Sequence, residues 1–318
     1  MIEWWERRQV PLYLGALVLG AVVGLLAPDA APTLEFAVTP VLIAVLYATF
    51  LSVPFGRLAA AARDGRFLGG LLLLNFVLVP TVVFGLTRVL AHDAALLIGA
   101  LLVLLTPCVD YVITFAGLAG GARERLLAAT PVLMLGQLVL LPVFLLLFAG
   151  PGALEAVEVA PFLEAFALFI VVPLAAAGLT QWLARRKPPL RRVETGAAAA
   201  MVPLVTLVLA LIVASQAVRI RDDAASLVGL VPVYVGFVVV MTGIGMLVAR
   251  LLRQDTGAAR ATVFSGVTRN SLVVLPLALA LPESLALAAA AVVTQTLVEL
   301  VGMVVLVRLV PRLVRART

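Results

Sequence analysis

The sequence predicts an all-α polytopic membrane protein with ten transmembrane helices arranged as two inverted five-helix repeats. Three observations lead there: ten apolar runs of membrane-crossing length, basic clusters in every second connection, and paired polar interruptions in the fourth and ninth runs. The composition sets the frame. With 64% hydrophobic residues, 13% charged residues and a mean hydropathy of +1.19, the chain is far more apolar than a soluble globule. Its net charge of +6 does not point to nucleic acid, because the arginines lie in short clusters between apolar runs, as topology signals do.

Crossing about 30 Å of hydrocarbon takes roughly 17–25 apolar residues. The runs fall at 11–27, 35–54, 67–90, 94–119, 126–149, 160–183, 197–218, 226–250, 260–281 and 284–307. The first follows Arg7 and Arg8 as a signal peptide would, but it is long and leads into further spans, so it is read as a helix of the mature protein. Trp4, Trp5 and Trp182 stand near the expected membrane edges, where indoles anchor. The third run carries Asn75 and Pro80. A basic loop at 184–195, within WLARRKPPLRRVE, is expected to join the halves, 1–150 and 151–318.

Charge tests this count. With the N-terminus inside, the inner segments hold Arg7, Arg8, Arg57, Arg63, Arg66, Arg123, Arg125, Arg185, Arg186, Lys187, Arg191, Arg192, Arg250, Arg253, Arg260, Arg308, Arg312, Arg315 and Arg317, which is 19 of the 23 basic residues. The outer segments hold Arg88, Arg219 and Arg221 among Asp29, Glu35, Asp93, Glu155, Glu158, Glu164, Asp222, Asp223 and Glu283. That asymmetry predicts that both termini are cytoplasmic, and the expected location is the plasma membrane.

The fourth run is interrupted by Thr106, Pro107, Cys108, Asp110 and Tyr111, and the ninth by Thr268, Arg269, Asn270 and Ser271. Pro107 removes a backbone donor and clashes with the preceding turn, so the helix is kinked or broken there. Broken backbone survives at membrane depth only where protein or a wet cavity covers it. A shift of about 160 residues lays the fourth run on the ninth, with Asp110 near Asn270 and Ser271, and a shift of 162 lays Gln137 on Glu299. Five helices per repeat is an odd number, so the halves are inverted, and the site is expected between two broken helices.

Asp110, Arg269 and Glu299 are charges at membrane depth and must face the interior. They are read either as a salt bridge locking the broken helices together or as groups that exchange a proton or attract an anion. Thr106, Thr268, Asn270, Ser271, Thr294, Gln295 and Gln137 are neutral hydrogen-bonders at similar depth, serving as glue between helices or as cavity lining; Tyr111, Asn75 and Pro80 join that set. Cys108, the only cysteine, excludes an internal disulfide, and is either a small core hydrophobe or a soft ligand. His92, the only histidine, lies in an outer loop, which leaves no histidine for an intramembrane proton relay. HExxH and DDxxD are absent, so no enzyme and no cofactor is expected.

The Pro107–Cys108 pair followed by Asp110, the polar interruption in the ninth run and LVEL at Leu297–Leu300 together resemble the bile acid/sodium symporter superfamily, and within it the arsenite efflux permeases. The resemblance spans essentially the whole chain. It implies a panel and a core domain, a fourth and ninth helix unwound and crossing near the midplane, and alternating access. It implies a small-molecule or oxyanion substrate, with As(III) as a hypothetical ligand of Cys108 and Glu299 matching an acidic residue of the last helix. The sodium-coupled branch and the arsenite permeases carry a glutamate in the ninth helix, whereas this chain has no acid between Asp255 and Glu283 and has Arg269 there. The expected function is proton-coupled arsenite efflux, with transport of a small organic anion as the alternative.

Overall fold

A computed structural model of the chain describes residues 2–53, 64–109, 111–150, 159–186, 189 and 191–315. Of the residues singled out above, Asp110 lies outside this set, as do Arg57, Arg63, Glu155, Glu158, Lys187 and Arg317. The described residues are almost wholly helical and include no strand longer than an isolated bridge. Among the described residues, seven helices are long and apolar enough to cross a membrane, and Pro11–Leu26 and Ala94–Leu104 are shorter apolar stretches.

With breaks at 105–109 in the fourth and 268–270 in the ninth, the described residues of the expected runs lie largely in helices. In chain order these are α1 (Ile2–Leu26), α2 (Ala31–Ser52), α3 (Gly65–Leu90), α4 (Ala94–Leu104), α5 (Tyr111–Leu118), α6 (Arg123–Phe148), α7 (Val159–Phe166, a π turn at Ala167–Val171, then Val172–Arg186), α8 (Arg191–Asp222), α9 (Ala224–Leu251), α10 (Thr256–Val267), α11 (Ser271–Leu279) and α12 (Leu287–Leu313). The fourth run is divided into α4 and α5, and the ninth into α10 and α11. The basic connection is shorter than expected, because α7 runs through Arg186 and α8 starts at Arg191, leaving little of 184–195 outside a helix.

Sequence explains the starts. Asp64, Asp93, Asp255 and Asn270 each accept a hydrogen bond from the backbone N–H three residues on, capping α3, α4, α10 and α11. Inside α3 the helix widens into a π turn at Leu74–Leu78, just before Pro80, whose missing N–H already breaks the regular ladder.

The chain forms two compact units, each drawn from both halves of the sequence. One comprises Met1–Ser52 and Glu158–Leu227, the other Val53–Val157 and Val228–Thr318. In the first unit α1 lies so close to α8 that a β-carbon at Gly20 or Gly24 would collide with the carbonyl oxygen of Ala210 or Ala214. Small residues one turn apart permit this approach, which supplies dispersion and close packing where lipid offers no hydrophobic drive. In the same unit the Tyr47 hydroxyl meets Thr180 Oγ1 at 2.8 Å, and Gln181 Nε2 donates to the Leu51 carbonyl at 2.9 Å, tying α2 to α7.

The second unit is centred on α4 and α11, whose residues 95–104 and 271–278 are all buried. A helix apolar on every side is a core element, and these two are the inner layer of the unit. Gly99 lets α4 touch α12, since a β-carbon there would stand 2.6 Å from the Ala288 carbonyl oxygen.

Gly24→Ala should destabilise the protein by roughly 1–3 kcal/mol through overpacking, read as a lower thermal midpoint in detergent. Gly15→Ala, on the same helix with no atom within 4 Å of its added carbon, should leave the midpoint unchanged.

Candidate functional site

The two breaks cross and hydrogen-bond to each other. Past Leu104 the backbone leaves the helix, Pro107 has no N–H to offer, and the freed groups would cost several kcal/mol each if left unpaired in an apolar interior. They pair across the crossing instead: Cys108 N–H donates to the Thr268 carbonyl at 3.2 Å and Asn270 N–H donates to the Thr106 carbonyl at 2.9 Å. Pro107 and Arg269 thereby form a one-pair antiparallel bridge. Thr106 and Thr268 play matching parts, each turning its hydroxyl back to the carbonyl four residues earlier, Leu102 at 2.8 Å and Phe264 at 2.7 Å. Adding 162 to 106 and 108 gives 268 and 270, so the two bonds exchange under that shift. This register lays Cys108 on Asn270 and Asp110 on Leu272, two residues away from the alignment expected above.

Arg269 is fully buried and leans on the main chain. Its guanidinium donates to the carbonyls of Ser265 at 2.6 Å and Gly266 at 3.0 Å, to Asn75 Oδ1 at 2.9 Å and to the Leu104 carbonyl at 3.4 Å. Leu104 ends α4, and Ser265 and Gly266 lie in the last turn of α10. These are the negative ends of two half-helices, where a cation is favoured. The ring of Phe237 stands 5.5 Å from the guanidinium carbon. Asn75 is fixed by donating to the Leu71 carbonyl and to Ser265 Oγ, both at 3.0 Å, from within the π turn of α3.

Of the two carboxylates expected near Arg269, Asp110 lies outside the described residues and Glu299 is placed as follows. Glu299, itself buried, accepts from the backbone N–H of Arg269 at 2.9 Å, from Gln295 Nε2, and from the Tyr111 hydroxyl at 2.6 Å. That hydroxyl also lies 2.7 Å from the Arg269 carbonyl oxygen. Among the described residues, the hydrogen bonds of the guanidinium thus go to carbonyls and Asn75, and those of Glu299 to the Arg269 amide, Gln295 and Tyr111.

Cys108 is buried beside these groups, and so are Ser271 at the start of α11 and Thr268, whose hydroxyl also reaches Met303 Sδ at 3.5 Å. Gln137 is buried on α6, and among the described residues no hydrogen bond draws it into the crossing; Thr294 bonds the carbonyl of Ala290 on its own helix. Four buried polar atoms of the expected set lack a partner among the described residues: Arg269 Nε, Asn270 Nδ2, Gln295 Oε1 and Gln137 Oε1. Three of these belong to the crossing or to the side chain next to Glu299. Such orphaned atoms in a native interior mark places completed by water, an ion or a substrate. Ser265 and Phe237 were not singled out from the sequence, although Phe237 stands 162 residues after Asn75 and faces the same guanidinium.

A family model described as the sodium bile acid symporter family matches residues 39–223, more than half of the chain. The chain belongs to the sodium bile acid symporter family. No individual curated protein matches it. Members of this family are transporters, not enzymes, and the helices fit a multi-pass membrane protein. The symporter family match covers the first break and ends before the second, so Arg269 and Glu299 lie beyond it.

Arg269→Met should cost roughly 3–5 kcal/mol, because it strands a cluster of buried oxygen acceptors. Arg269→Lys, which keeps the charge and loses the fork, should fall between this variant and the wild type. Thermal unfolding in detergent reads both, and a methionine variant as stable as wild type would show that the guanidinium does not hold the crossing.

Proposed function

We propose that this symporter-family protein exports trivalent arsenic against an inward proton gradient, with Cys108 as the soft ligand in the path. The carrying observation is that the chain's one thiol belongs to the crossing itself, one residue after the bridged Pro107 and hydrogen-bonded through its N–H to the opposite break. A thiol suits a soft, thiophilic centre and is a poor ligand for sodium or a carboxylate. Arsenous acid and the thiol exchange without any redox partner: the sulfur–arsenic bond forms, one arsenic–oxygen bond breaks, and that hydroxyl leaves as water with the thiol proton. The alternative substrate, a small organic anion, is the one the family description suggests. In its simplest form it relies on Arg269 as the anion's partner, and that guanidinium is already committed to four oxygens.

The same commitment supports sodium independence. Half-helix C-termini and unwound carbonyls are where transporters hold a coupling cation. Here Arg269 supplies a cation tethered to the chain, and a sodium ion beside it would be repelled. Coupling then falls to a carboxyl. Tyr111 has one hydroxyl proton for two acceptors, the Arg269 carbonyl and Glu299. Both contacts are hydrogen bonds when Glu299 is protonated and donates to the tyrosine oxygen, which passes its own proton to the carbonyl. Loss of the Glu299 proton breaks this chain at the crossing. The exchange of Thr106 with Thr268 and of Cys108 with Asn270 under one shift supports the inverted-repeat reading, with halves 1–150 and 151–318, and so does the derivation of each compact unit from both halves.

Cells lacking their own arsenic exporters should accumulate less arsenite when they express the wild type, and Cys108→Ser at equal expression should abolish the difference. Equal accumulation in all strains would overturn the arsenite reading, and uptake of an organic anion that survives Cys108→Ser would establish the alternative. In proteoliposomes, a pH gradient without sodium should drive wild-type flux. Glu299→Gln, which mimics the protonated carboxyl, should retain exchange at equal concentrations and lose gradient-driven flux at least tenfold. A strict sodium requirement would refute the coupling scheme.

A further inference from the structure

At the end of the second unit, away from the crossing, the C-terminus of α9, the N-terminus of α10 and the C-terminus of α12 enclose a cavity of about 670 Å³. Its wall carries Arg250, Arg253, Arg312 and Arg315 against a single carboxylate, that of Asp255. That carboxylate is spoken for. It caps α10 through the Ala258 N–H at 3.0 Å and pairs with Arg125, and these bonds, the Ala258 cap foremost, hold it below the usual carboxylate range.

The arginines are in the opposite condition. Among the described residues, the guanidinium groups of Arg250, Arg253 and Arg312 have no hydrogen-bond or ion-pair partner, and Arg315 donates from Nε only to the Arg312 carbonyl at 3.1 Å. Four cations gathered at one cavity repel each other, and a multivalent anion removes that cost. The positive end of α10 opens on the same space. Arg253 adds a second kind of evidence. It has φ of 46°, the only positive φ outside glycine among the described residues. Its turn closes α9 with Gln254 N–H on the Ala249 carbonyl and Arg253 N–H on the Arg250 carbonyl, both at 3.0 Å. Glycine is the usual occupant of this position, so an arginine stands where the backbone disfavours any side chain.

We infer that this cavity binds the phosphate group of an anionic phospholipid from the cytoplasmic leaflet. Phosphate offers several acceptor oxygens to guanidinium forks. A basic pocket between helices on the arginine-rich side of a membrane protein is the setting in which such headgroups bind. The bound phosphate would tie α9 to α10 and α12, the two elements that carry the second break and Glu299. Arg260 of α10 already grips the end of α12 through the Pro311 and Val314 carbonyls. The inference concerns lipid binding and stands whatever the transported substrate is.

Full-length protein in nanodiscs of neutral lipid, with and without phosphatidylglycerol, tests it by thermal midpoint and by native mass spectrometry of retained lipid. The wild type should be stabilised by phosphatidylglycerol and retain it. Arg250→Gln with Arg312→Gln should weaken retention by about fivefold for each arginine removed, about 25-fold for the pair. Arg253→Gly should fold at least as well as wild type, because it relieves the turn, and should also bind the lipid about fivefold more weakly. Arg191→Gln with Arg192→Gln, a control pair exposed elsewhere, should bind as wild type does. An equal loss in this control pair, or full retention in the Arg253 variant, would overturn the site. Stabilisation by inorganic phosphate in neutral nanodiscs, matching that by phosphatidylglycerol, would overturn the lipid as the source.

Discussion

Two backbone hydrogen bonds, Cys108 to Thr268 and Asn270 to Thr106, are the constraint on which the second unit depends. Interrupting a helix in an apolar interior exposes amides and carbonyls that lipid cannot satisfy. Each break here serves as the other's partner, so neither could exist alone. That mutual dependence accords with the burial of residues 95–104 of α4, 261–267 of α10 and 271–278 of α11, the helices that lead into and out of the breaks. It also explains the close approach at Gly99, which lets α12 lie against α4 with Glu299 in reach of the crossing.

The charges follow from the same geometry. Four half-helices ending at one place present partial positive and partial negative ends within a few ångströms, and a full charge of opposite sign at each end is favourable. Arg269 takes the carbonyl side, at Leu104, Ser265 and Gly266, while Glu299 takes an amide, the N–H of Arg269 itself. A direct ion pair between the two side chains would withdraw both from those duties. The π turn of α3 belongs to this economy as well, since it presents Asn75 to the guanidinium from a third helix.

Much of this was legible in the sequence, and the limits have physical causes. Apolar length and the alternation of arginine clusters located the helical runs, because crossing a bilayer fixes both. Pro107 announced the first break, since no proline can continue the ladder. The main-chain partners of Arg269 were not legible: sequence displays side-chain charges and hides main-chain dipoles, so a carboxylate, Asp110 or Glu299, was the partner it suggested. The register of the crossing was off by two residues for a related reason, as Asp110 was matched to Asn270 by polarity whereas the backbone matches Cys108 to it. Applied at 162 residues from the start, the same comparison would have paired Asn75 with Phe237, the two side chains next to the guanidinium. The four arginines of the cavity read as topology signals, and their convergence exists only once α9, α10 and α12 are assembled.

A cation that is part of the chain behaves differently from one that binds. Sodium can leave a carbonyl cluster, and its departure can be coupled to the state of a transporter. Arg269 is part of the chain and cannot dissociate, so its presence at the crossing does not follow a gradient as the occupancy of a bound ion does. If the protein works against a gradient, the group that reports it must change its charge or its occupancy. Glu299 meets that requirement, because its contact with Tyr111 can be made with the proton on either side, and the protonated form alone also satisfies the Arg269 carbonyl. Under the proposed proton coupling, the tethered cation and the carboxyl are two parts of one arrangement: fixing the first leaves the second as the variable.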